Sequence, residues 1–179
     1  MNKAVMLSIR PKWVEKIASG EKTIEVRKTK PKLATPFKAY LYVTAGNLSY
    51  RCPNGMICHC NGGRAVIGEF TCDQIFPINV FDNGSIQNWL FEHMERSCLT
   101  YEELADYIGN GKTGHGWHIS GLLIYDQPRE LSEFWRATDP CDSCHAKYTW
   151  ECTGCKKLSG DIKRPPQSWC YVEAMRDAK

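Results

Sequence analysis

Two groups of residues have spacing that could do chemistry. The first is "CDSCHAKYTWECTGC", a C-x2-C-x7-C-x2-C pattern formed by Cys141, Cys144, Cys152 and Cys155. Two such hooks, each on a tight turn, offer four thiolates, the donor set that holds Zn²⁺ in structural sites. With all four positions thiolate, no coordination site stays open, so the expected zinc is structural. A loop of this size cannot hold itself by packing, and metal binding would supply its folding free energy. Tyr148 and Trp150 stand between the hooks, and Lys156 and Lys157 follow. The loop could therefore extend a nucleic-acid face or dock a protein partner.

The second group lies in "GEKTIEVRK", Gly20 to Lys28. Glu25 and Arg27 are two apart on an alternating stretch, so a strand places them on one face. Burying either charge unpaired would be costly, so each is expected to be paired or wet. Arg27 offers a planar fork for phosphate or a base edge. Glu25 can accept from an exocyclic amine or a ribose hydroxyl. Lys22, at the turn before the strand, is read as a mobile cation at the rim of the same cleft. Beside a wall of low polarity its pKa would fall, and it could then act as a base. The competing reading is a structural salt bridge. "PPQSWCYV" brings Gln167 and Ser168 as base-edge readers and Trp169 as a stacking platform or a core residue.

Other polar groups carry weaker signals. His115 and His118 could form an acid–base pair, but Trp117 and Ile119 read as core positions, which turns His118 to the opposite face. Cys52, Cys58, His59 and Cys60 have no usual single-site spacing. Free thiols are expected there, with a second metal as the alternative. Cys72, Cys98 and Cys170 sit among apolar residues and read as inert.

The elements that must position these groups are short. "AVMLSI" reads as an apolar strand. "SIRPKWVEKIASG" reads as a helix, with Ser8 as cap, Pro11 in the first turn, Trp13 and Ile17 on one face and Gly20 in the left-handed position beyond its end. "TIEVRK", "AYLYVTA", "RAVIGEFTCDQIF", "GWHISGLLIYD" and "PPQSWCYVEA" read as strands. "GNLSYRCPNGMICHCNGG" is a loop or hairpin, and "QPRELSEFW" a turn into a short helix. "SIQNWLFEHMERS" and "LTYEELADYIG" are helices, the second with Thr100 and Glu103 as a capping box. Several short strands with helices between them predict an α+β fold, a small and mostly antiparallel barrel with flanking helices. Residues 1–179 read as a single domain carrying an inserted loop at 140–157.

Composition agrees with a globular chain of 179 residues, 42% hydrophobic and 24% charged. No run approaches the roughly 18 apolar residues of a membrane helix, and "MNKAVMLSIRPKW" is too short in its apolar part for a signal peptide. A cytoplasmic protein with reduced thiols is expected. Charge is uneven. Residues 1–40 hold ten Lys/Arg against three Asp/Glu, residues 41–150 seven against thirteen, and residues 151–179 six against four. If the two basic ends meet in space they form a face for a polyanion.

"SIRPKWVEKIASGEKTIEVRK" resembles the signature of the ASCH domain, G-x-K-x-x-E-x-R after a short helix. "AVIGEF", "GWHISGLLIYDQPRELSEF" and "PPQSWCYVE" resemble later blocks of its phage and bacterial members. The likeness runs from about residue 4 to 174 and breaks in the two cysteine-bearing loops. It implies a β-barrel related to the PUA domains and RNA, single-stranded nucleic acid or a modified nucleoside as partner. Some members resemble amidohydrolases of acylated nucleosides that use the lysine, a hydroxyl three residues on and a later acidic residue. Here Lys22 fills the first position and Glu25 stands where the hydroxyl would be. Glu95 is the nearest candidate for the acid. Other members are described as ribonucleases. The leading expectation is a binding module, with an enzyme using Lys22 as the alternative and a protein-interaction module using the zinc loop as the third.

Overall fold

The first strand is apolar at nearly every position because it is covered on both faces. In the computed structural model, which describes residues 3–51, 55–87, 89, 91–137 and 160–175, β1 (Lys3–Ile9) lies inside the largest sheet. A continuous apolar run is what such a central strand needs. Helix α1 (Pro11–Ala18) follows, with Pro11 at its first position and Val14 and Ile17 buried. Its N-cap is Arg10, which makes no side-chain cap. Ser8 is not the cap. It belongs to β1, and its hydroxyl donates to the Pro166 carbonyl at 2.6 Å. Gly20 has φ +82°, the left-handed conformation that glycine adopts without a Cβ penalty, and it turns the chain into β2 (Ile24–Arg27).

The described chain continues through β3 (Phe37–Val43), the hairpin β4 (Leu48–Arg51) and β5 (Ile57–Cys60), then β6 (Val66–Cys72), β7 (Ile75–Val80) and β8 (Ile86–Gln87). Helices α2 (Phe91–Ser97) and α3 (Tyr101–Ile108) come next. Then follow β9 (Lys112–His118), β10 (Ser120–Arg129), a 3-10 turn at Leu131–Glu133, β11 (Trp135–Arg136), β12 (Gly160–Asp161) and β13 (Trp169–Glu173). Sequence patterning merges β6 with β7 and β9 with β10. In each case only a short turn separates two strands of different sheets. The helix expected over "SIQNWLFEHMERS" begins later, since Ile86 and Gln87 pair with β7.

Among the described residues the large sheet has the order β10-β6-β3-β1-β13-β11-β12, and a second sheet the order β2-β9-β7-β8. Pairing is antiparallel except for β1 with β3. The mixed, mostly antiparallel α+β class stands, but the expected barrel does not, because the sheets do not close on each other. The end of α2 lies along β2, with the Thr23 N–H donating to the Arg96 carbonyl at 2.9 Å and the Lys22 ammonium donating to the Ser97 carbonyl. Helix and charged side chains thus occupy the flank that a closing strand would need. The sheets pack through Leu7, Phe37, Leu41 and Trp117, with Phe37 edge-on to Trp117 at 5.6 Å. Helix α3 presses Leu104 and Ile108 against Ile24, Val26 and Ile78 of the second sheet. That leaves its opposite, polar face toward the start of α1.

The first strand and the last lie side by side: β1 pairs with β13, Lys3 opposite Glu173 and Leu7 opposite Trp169. Among the described residues no helix is long and apolar enough to cross a membrane. The expected zinc ligands Cys141, Cys144, Cys152 and Cys155 lie outside the described residues, as do Tyr148, Trp150, Lys156 and Lys157.

Candidate functional site

Strand β2 carries two faces with two jobs. Ile24 and Val26 enter the core beneath α3. Glu25 and Arg27 are also buried, each only 6% exposed, and they line a cavity of about 510 Å³. A cavity of that size falls within the range of small-molecule sites, roughly 300–1,000 Å³. The end of β1 and the start of α1 supply Ser8, Arg10, Lys12 and Trp13 to its wall, α3 supplies Glu103, Asp106 and Tyr107, and Gln167 comes from the segment before β13.

Lys22 departs furthest from the sequence expectation. In place of a mobile cation at the rim, it is a buried one, 2% exposed. Its ammonium donates to the Ser97 carbonyl at 2.6 Å, lies 3.3 Å from Glu25 Oε2 and sits 5.2 Å above the Trp13 ring. Two contacts turn it inward: the Lys22 N–H donates to the Lys16 carbonyl, which holds the turn after Gly20, and α2 presents the Ser97 carbonyl to the ammonium.

Glu25 bridges two cations. Its other oxygen is 3.0 Å from Arg27 Nη2, which also donates to the Ser8 carbonyl at 2.9 Å. Arg27 Nη1 reaches the carbonyl and hydroxyl of Ser168 at 3.4 Å, and its Nε is buried with no acceptor among the described residues. Three charges are therefore taken from water together, two positive and one negative. The expected pairing of Glu25 with Arg27 is present, but a simple salt bridge would be one to one. An extra buried cation, desolvated and only partly compensated, favours an acceptor or anion beside it.

The remaining expected residues divide. Gln167 is exposed and lines the cavity. Ser168 touches Arg27. Trp169 is not among the cavity-lining residues: its indole N–H donates to Thr29 Oγ1 at 2.9 Å and its ring packs on Trp117 and Tyr171. His118 pairs with Asp73 at 2.6 Å and His115 lies opposite Arg27 in the β2–β9 register, but neither lines the cavity. Glu95 is exposed and also lies outside the lining. Cys60, Cys72, Cys98 and Cys170 are free thiols, whereas Cys58 is disulfide-bonded, contrary to the expectation of a free thiol there. Burial pushes the Cys72 thiol up to about 12, which keeps it inert. Among the described residues no group of three or more His, Cys, Asp or Glu could hold a metal.

Sequence reasoning misses the α3 wall. Glu103, Asp106 and Tyr107 stand three and four residues apart, the spacing of one helix face, opposite Leu104 and Ile108. That signal is present in "YEELADYI" but says nothing of what the face meets. Glu103 is already engaged, accepting from the Thr100 N–H at 2.9 Å. Asp106 has no partner among the described residues. Tyr107 is 39% exposed, and desolvation raises its phenol pKa, so at neutral pH it remains an O–H donor. Trp13, read as an apolar-face residue, is only partly buried, and Lys12 lies 4.1 Å above its ring.

The model of the ASCH domain matches residues 7–110, more than half of the chain and nearly all of the cavity wall. The chain belongs to the ASCH domain family. Its solved neighbours include an ASCH protein from Zymomonas mobilis, similar at 18% identity with a TM-score of 0.56 over 97% of this chain and 88% of that one. A tyrosine-to-phenylalanine variant and a serine-to-alanine variant of the same protein match at the same identity and TM-score, with 91% and 89% of those chains covered. At that identity the likeness speaks for the ASCH fold. No curated protein gives a significant match. Lys22, Glu25 and Arg27, all within the matched residues 7–110, thus form one buried, cavity-lining triad.

Proposed function

We propose that this ASCH protein is a binding module for RNA, single-stranded nucleic acid or a modified nucleoside, received in the cavity lined by Lys22, Glu25 and Arg27. The observation that carries the reading is the buried two-to-one charge triad in a cavity wall. A structural role is met by one pair, and a second buried cation gains most from a ligand acceptor such as a base carbonyl or a phosphate oxygen. Trp13 and Tyr107 offer ring faces and edges beside it, and Asp106 an uncommitted carboxylate for an exocyclic amine or hydroxyl. Zn²⁺ on Cys141, Cys144, Cys152 and Cys155 remains part of the proposal, on the spacing of the cysteines.

Catalysis by Lys22 has less support. Its ammonium is already engaged by Ser97 and Glu25, and the position three residues on carries a carboxylate in place of a hydroxyl. Titration calorimetry with cytidine, N4-acetylcytidine and a short single-stranded RNA tests the reading. Wild type should bind at least one of the three. Asp106→Asn and Tyr107→Ala, rim substitutions that leave the triad in place, should weaken that binding roughly tenfold, the effect of removing one hydrogen bond or one stacked ring. If wild type binds none of the three, or if both variants bind as wild type does, the cavity is not the site.

A further inference from the structure

The loop between β2 and β3 carries charge that the cavity reading does not use. From Lys28 to Phe37 it holds Lys28, Lys30 and Lys32 and no Asp or Glu. All three lysines are exposed, while Pro31 between them is buried. None of the three has an ion-pair partner among the described residues. The loop is pinned to the body of the protein at three places. The Lys28 ammonium sits 5.2 Å over the ring of Tyr107, which lines the cavity. The Thr29 hydroxyl accepts from the Trp169 indole. The Lys32 N–H donates to the Tyr171 hydroxyl at 2.7 Å. A row of cations free of carboxylate partners thus starts at the cavity rim and runs away from it on a fixed backbone.

A solvated face would be expected to mix signs or to move freely. This loop does neither, and a backbone already held in place gives up less conformational freedom when a ligand arrives. We infer that the loop is a backbone-binding surface for a phosphodiester strand, which sets one base in the cavity and lays its neighbouring phosphates along Lys28, Lys30 and Lys32. The inference rests on the cavity reading above and narrows its ligand, among RNA, single-stranded nucleic acid and a modified nucleoside, to a single strand. A strand is required because a base inside a duplex cannot leave the stack to enter the cavity without unpairing. Lysine contacts to phosphates do not depend on the sugar, so RNA and DNA strands should share the surface.

The test compares wild type with the triple variant Lys28→Gln, Lys30→Gln, Lys32→Gln, using labelled twelve-residue oligo-rU and oligo-dT, uridine, and inorganic polyphosphate. Strand affinity at low salt should fall roughly 10- to 100-fold for both oligonucleotides, and the salt slope should drop by about 2, near 0.7 for each phosphate no longer neutralised. The double variant Lys30→Gln, Lys32→Gln, which leaves the Lys28–Tyr107 contact at the cavity rim in place, should bind uridine as wild type does while weakening strand binding. A triple variant that binds strands with wild-type affinity and slope overturns the surface. Polyphosphate binding wild type as tightly as oligo-rU overturns the assignment to a nucleic-acid strand. The cavity reading fails separately, if Tyr107→Ala leaves uridine and strand binding intact while the triple variant still loses the strand.

Discussion

Lys22, Glu25 and Arg27 illustrate how burial inverts the consequence of a substitution. An exposed lysine contributes little to stability. This one is sealed beneath α2 with a carboxylate 3.3 Å away. Lys22→Ala should therefore lower unfolding stability by about 3 kcal/mol, the scale of a broken buried ion pair, and chemical denaturation will measure it. A loss under about 0.5 kcal/mol, the range of surface pairs, would mean that water reaches the triad. His115 offers a second residue-scale expectation. Desolvation, then the charge of Lys30, holds its pKa below the ordinary histidine value. The unfolded chain then binds the proton more readily, so stability is retained above about pH 6.5 and declines as pH falls through that value toward the folded pKa. His115→Gln should flatten the decline that sets in below about pH 6.5, and an unchanged slope would assign the acid sensitivity elsewhere.

At the scale of the element, α3 is the part on which most of the unread site depends. Its start is fixed by the Thr100 hydroxyl accepting from the Glu103 N–H and the Glu103 carboxylate accepting from the Thr100 N–H. Glu103 also lines the cavity, so cap and wall share a residue. Thr100→Ala should cost about 1 kcal/mol of stability and weaken ligand binding through a loosened wall. Binding unchanged at that stability loss would show that the wall does not depend on the cap. The cysteine loop is the other element with a specific expectation. One zinc per chain should be found by elemental analysis, and Cys152→Ser should release it while leaving most of the far-ultraviolet circular dichroism intact, since the loop lies outside residues 7–110 that match the ASCH domain. Protein purified without zinc, or with these cysteines in disulfides, would remove the proposal.

For the whole molecule, the uneven charge matters because of topology. The pairing of β1 with β13 brings the start of the basic first forty residues beside the last strand. Their potential should steer a polyanion and make its binding salt-dependent. Strand affinity of the wild type should fall steeply between low and moderate salt. A flat response would show that the basic ends do not form the face.

Local features were legible in the chain before any packing was known. Period-two alternation places Glu25 and Arg27 together, because strand geometry depends only on the chain's own pleat. Gly20, Pro11 and the Thr100–Glu103 box mark helix ends, because capping is settled within a turn of backbone. The G-x-K-x-x-E-x-R spacing in "GEKTIEVRK" lies within residues 7–110, the span that shows the family. Long-range packing decides whether the sheets close, which way Lys22 turns and what the polar face of α3 meets. Each of those depends on residues far apart in the chain coming together: Lys22 with Ser97, Arg27 with Ser168, Thr29 with Trp169. Burial is a property of the assembled packing, and the same lysine that reads as a surface cation in the sequence becomes a desolvated charge once α2 closes over it.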